Sequence, residues 1–119
     1  MKSSREAESV PQLPADPYKC EAFNMEEIKN MRIEENLRGN CTSMRGKFRG
    51  QKCFMKVVDI SQEIYLDQMR NEIADYKHLE RLQGKHVPKF FGYGYLAGFL
   101  EILVLEDSGN HLTLSLQLT

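Results

Sequence analysis

The chain has 119 residues, 41% apolar and 28% charged, with a formal net charge of −1 and a pI near 6.3. That allows one small domain with one modest core, and it leaves no basic field to hold nucleic acid or an anionic membrane. No stretch approaches the ~20 apolar residues of a membrane span, Met1 to Ser9 has no apolar signal core, and Cys20, Cys41 and Cys53 have no metal or disulfide spacing, so an intracellular site, cytoplasmic or nuclear and not secreted, is expected.

In chain order, residues 1–22 read as a flexible tail, because Pro11, Pro14 and Pro17 favour extended chain and block helix. From Phe23 to Leu37 the apolar positions Phe23, Ile28, Met31, Ile33 and Leu37 alternate irregularly with charges. A short helix over Met25–Asn30 and then a strand fit that pattern. Gly39, Gly46 and Gly50 punctuate the next run, which reads as two short strands joined by turns. Within it Arg45, Lys47, Arg49 and Lys52 alternate with glycine and apolar residues, as on the wet face of a strand.

Cys53 to Val58 is short, apolar and β-prone. In a strand, Cys53, Met55 and Val57 face one side, and Phe54, Lys56 and Val58 the other. Lys56 must then reach water or a partner. Asp59, with Gln62 three residues on, has capping-box spacing for a helix over 61–82. Leu66, Met69, Ile73, Tyr76 and Leu79 form its apolar stripe, Glu72 flanks the stripe, and Gly84 is placed to end it. After Val87-Pro88, Lys89 to Tyr95 and Leu100 to Leu105 read as an antiparallel hairpin turned at Ala97-Gly98. The aromatics Phe90, Phe91, Tyr93 and Tyr95 suit a strand with one wet face, and His78, His86 and His111 have no metal spacing. The expected fold is α+β: about five antiparallel strands against one long helix, in a domain over 23–112 with a C-terminal tail over 113–119.

The order of weak strands, lysine strand, long helix and two strong strands ending in an acid resembles the small lobe of protein kinases, over about residues 28–112. Cys53-Phe54-Met55-Lys56 matches the V-A-I-K strand of that family. The most specific stretch is Asn71-Glu72-Ile73-Ala74-Asp75-Tyr76-Lys77-His78-Leu79 with Gln83 to Gly94, which is similar to the divergent kinase-like proteins of fungi. It also has a fainter likeness to small-molecule phosphotransferases of the same superfamily. The resemblance implies ATP as ligand. Lys56 would contact the α- and β-phosphates, Glu72 would pair with Lys56, Leu105 would be the gatekeeper, and the backbone of Glu106 to Ser108 would bind adenine. It implies that Lys56 and Glu72 face each other, with the amine within about 4 Å of the carboxylate or separated from it by one swing of the helix.

Three departures qualify what the resemblance implies. With the phosphate loop near Glu34 to Cys41, only Gly39 keeps a glycine position and Glu34 and Asn36 replace the others, while Gly46 would serve under another register; side chains obstruct the approach of backbone N–H groups to phosphate. Phe54 replaces the small alanine of V-A-I-K and would fill part of the adenine slot or, alternatively, stack on the base. No H-R-D-x-x-x-x-N or D-F-G motif occurs, so the chain brings neither Mg²⁺ ligands nor a catalytic base. The expectation is a truncated, catalytically inactive, pseudokinase-like lobe with a degenerate ATP site, no metal site and weak nucleotide binding, acting by binding a partner. The alternatives are a fragment of an active kinase completed by further C-terminal sequence, or an unrelated α+β interaction module. An uncovered lobe face, with Leu105 and the alternating Leu112, Leu114, Leu116 and Leu118 left in water, would drive self-association or partner binding.

Overall fold

The computed structural model describes residues 13–37 and 41–107. Six strands, β1 (Cys20–Phe23), β2 (Ile28–Leu37), β3 (Cys41–Phe48), β4 (Gln51–Asp59), β5 (Phe90–Leu96) and β6 (Leu100–Glu106), form one sheet in the order β1-β5-β6-β4-β3-β2. Helix α1 (Glu63–His78) links β4 to β5 and covers one face. The α+β class and the single long helix match the expectation. The sheet is mixed and six-stranded instead of antiparallel and five-stranded, because β1 adds an edge strand parallel to β5. That strand, and Tyr18 just before it, fall in the stretch read from sequence as tail.

Each strand face has its own core, as the alternation in β4 requires. Phe54 and Val58 pack under α1 with Leu66, Met69, Ile73 and Tyr76. Cys53 and Met55 point the other way, into a second core with Phe23, Ile28, Phe48, Phe91, Ile102 and Val104. The second core closes because β1 and β2, consecutive in the chain, lie at opposite edges of the sheet. Only the short link 24–27 joins them, so the sheet curls until its edges approach. Asn24 and Glu27 hold that link as a capping box: the Asn24 side chain accepts from the Glu26 N–H at 3.0 Å and Glu27 accepts from the Asn24 N–H at 2.9 Å. The helix expected over Met25–Asn30 is therefore one 3-10 turn, Met25–Glu27, with strand from Ile28 onward. Arg49, at the β3–β4 turn, holds the link and β1 together by reaching Glu27 at 2.5 Å and Glu21 at 3.1 Å.

Two hairpin turns use left-handed residue pairs, Arg49 (φ 49) with Gly50 (φ 84) and Ala97 (φ 57) with Gly98 (φ 79). Such pairs match the twist of the strands they join. Helix α1 is shorter than the predicted 61–82. The Asp59 carboxylate accepts from the Ser61 N–H and hydroxyl at 2.9 and 2.8 Å, closing a local turn before the helix, while Gln62 at the N-cap makes no side-chain cap. At the other end the chain tightens into a 3-10 turn, Glu80–Leu82, before Gly84 (φ 82). Gln83 clasps the exit: its amide donates to the Tyr18 hydroxyl (2.7 Å) and the Tyr76 carbonyl (2.9 Å), and its oxygen accepts from the Phe90 N–H (2.8 Å).

Candidate functional site

Lys56 sits mid-strand in β4, between Ser43 of β3 and Leu103 of β6 in register. Its side chain rises on the face that α1 covers. Glu72 lies on the buried side of α1, between Met69 and Ile73. The Lys56 Nζ donates to Glu72 Oε1 at 2.7 Å, with the two side chains 12% and 7% exposed. A lysine ammonium on a four-carbon stem is otherwise free to wander. Here a strand sets its base, a helix sets its partner, and burial weakens solvent screening between them. The pair meets within the reach the sequence resemblance implies.

Phe54 lies two residues before Lys56 on the same face, and is buried. In register it stands between Arg45 of β3 and Leu105 of β6. The Arg45 guanidinium lies 5.4 Å from the Phe54 ring centroid and forms an ion pair with Asp107. Arg45, read from sequence as a wet strand residue, is therefore buried, and Arg49 is half-buried in its pairs with Glu21 and Glu27. Lys47 and Lys52 are exposed as expected. Counting back from the Arg49-Gly50 turn places Arg45 opposite Phe54, so the signal was available in the hairpin register.

Leu105 is also corrected. It was expected in water at the lobe junction, but it is 1% exposed, packed in the α1-side core with Phe54 and Phe90, because its strand face is the one the helix covers. Glu106 is bound to the start of β5 twice, its N–H donating to the Lys89 carbonyl at 2.8 Å and its carboxylate accepting from the Lys89 N–H at 3.0 Å. Gly39 and Ser108, and the leucines at 112, 114, 116 and 118, lie outside the described residues.

A second polar cluster on this face gave no sequence signal. Glu101, fully buried, accepts from Arg70 of α1 at 3.2 and 3.1 Å and from the Tyr93 hydroxyl at 2.5 Å. Burial, reinforced by the bond to Glu101, raises the Tyr93 hydroxyl above its usual range, and the same carboxylate raises Arg70. A buried carboxylate so held is a structural clamp between helix and sheet. On the opposite face, burial and then the Asp107 charge push the Cys53 thiol up to about 12, which leaves it inert.

Among the described residues no group of three or more His, Cys, Asp or Glu is placed to hold a metal ion, and no helix is long and apolar enough to cross a membrane. No protein-family model matches the chain, and no curated protein matches it.

Proposed function

We propose that this chain is a kinase-like small lobe with a degenerate nucleotide cleft, which transfers no phosphate by itself and acts by binding. The Lys56–Glu72 pair is the observation that carries this reading. A strand lysine fixed by a helix glutamate is the device by which protein kinases hold phosphate oxygens, and the 2.7 Å contact fits that use. The degenerate base end of the reading is supported by Phe54, which stands where the family keeps a small alanine and lies buried with the Arg45 guanidinium 5.4 Å from its ring centroid. The sequence motifs for Mg²⁺ and for activating a hydroxyl are missing from these 119 residues. The partner surface belongs to the same proposal: the leucines at 112, 114, 116 and 118 alternate with polar residues in the sequence, a pattern that would give an extended segment one apolar side.

Calorimetric titration with ADP tests the nucleotide reading. The wild-type chain should bind with Kd weaker than about 1 mM, and Phe54→Ala should bind about tenfold more tightly, near 1.4 kcal/mol, by opening the slot. Adding Lys56→Met to Phe54→Ala should remove the gain. A gain that survives Lys56→Met would place the nucleotide elsewhere, and an affinity lowered by Phe54→Ala would mean that the ring stacks on the base.

A further inference from the structure

We infer that Arg45 and Asp107 form a latch that holds Phe54 across the base end of the Lys56 cleft, an inference that rests on the nucleotide-cleft reading above. Arg45, Phe54 and Leu105 are direct neighbours in register on β3, β4 and β6. Asp107 lies two residues beyond Leu105, and its N–H bonds the Lys52 carbonyl at 3.3 Å, which anchors it beside β4. The Arg45 guanidinium thus reaches from β3, over the ring, to a carboxylate past the end of β6. Its distance to the ring centroid is 5.4 Å, within cation–π range. The side chains of Arg45 and Asp107 are only 11% and 18% exposed, so water screens their attraction weakly.

The strap has a mechanical consequence. The Phe54 ring packs in the α1-side core, so clearing the cleft takes a rotamer change that also withdraws it from that core. With a guanidinium over the ring and tied at both ends, that change requires the ion pair to part. Ring and base compete for one volume, so the open state, with the pair broken, is the binding-competent state. If it holds about 1% of the population, the apparent affinity falls about 100-fold below that of the open cleft.

Charge arithmetic separates this latch from simple electrostatics. Asp107→Asn removes a negative charge near an anionic ligand, and Arg45→Gln removes a positive one. Through the field alone, the first strengthens and the second weakens ADP binding. A latch predicts the same sign for both.

The experiment is ADP calorimetry on the full chain as wild type, Arg45→Gln, Asp107→Asn and Phe54→Ala, each checked for folding by circular dichroism. Both latch variants should bind ADP at least about tenfold more tightly than wild type. Opposite signs, or no change in either while Phe54→Ala gains, would overturn the latch and leave the cleft reading standing. No binding by any variant, Phe54→Ala included, would overturn the cleft reading and the latch with it. Should either variant fail to fold, Arg45→Met takes its place: it keeps an unbranched apolar stem but cannot pair with Asp107, and it too should gain affinity, with no gain counting against the latch.

Discussion

Lys56 and Glu72 are half-answers that make sense only together. Each is nearly removed from water, so deleting one takes away a close, weakly screened opposite charge from the other. Glu72→Ala should cost about 3 kcal/mol in urea unfolding, while Lys56→Met with Glu72→Leu should cost clearly less. Equal losses in the two would show that packing, and not the charge, is what the site contributes. This pair was legible in the sequence only through the kinase-like order of lysine strand, helix, glutamate and hinge acid, since either residue alone carries no signal. Arg45 was not read, since alternating basic residues look alike until the hairpin register assigns one of them to the face of Phe54. Cys53 gives a pH signature. Its thiol titrates near 9.0 when unfolded and at about 12 when folded. A raised value means that stability is whole below pH 9 and is lost as pH climbs toward 12, because the unfolded chain ionises first. Tyr93, raised by burial, acts in the same direction. The urea midpoint should therefore fall between pH 8 and pH 10.5, and a flat profile would show that neither group is protected by the fold.

Two elements are held by residues whose roles emerge only in three dimensions. Helix α1 is clamped to β5 and β6 by Arg70, Glu101 and Tyr93. Although Arg70 is 49% exposed, Glu101 is 0% exposed, so this is not an ordinary surface pair of about 0.5 kcal/mol. Arg70→Ala should destabilise by about 3 kcal/mol, since it strands a buried carboxylate; a loss under about 1 kcal/mol would mean that Tyr93 and water suffice. Strand β1 depends on Gly94, where a β-carbon would fall 2.0 Å from the Glu21 carbonyl oxygen. Gly94→Ala should release β1 from β5 at a cost of about 1–3 kcal/mol, with loss of amide protection at 20–23 and the Lys56–Glu72 pair intact; protection that persists would show that the sheet shifts to admit the methyl. The strong strands, β4 and the β5–β6 hairpin, were readable from alternation and from the Ala97-Gly98 turn. Strand β1 was not, because four residues of mixed polarity beside prolines have no period to detect and their pairing is parallel and remote. The helix was over-extended because Leu79 and Leu82 continue the apolar spacing into what is a tighter turn.

At the scale of the molecule, the two faces of the sheet divide the labour. One face closes on itself through the curl of β1 and β2, and the other carries the helix and the Lys56–Glu72 charge pair. Self-association is proposed to run through the C-terminal leucines rather than through Leu105, which the helix-side core already buries. Sedimentation at several concentrations should show association that is lost when residues 111–119 are deleted, and a monomer at every concentration would remove the proposal. Methyl resonances of the Phe54→Ala chain during ADP titration test whether the Lys56 face is a nucleotide cleft stopped by Phe54. Shifts are expected at Leu103 and Leu105, with Met44, Met55 and Val57 on the other face unmoved; shifts confined to those three, or none at saturating ADP, would rule the cleft out.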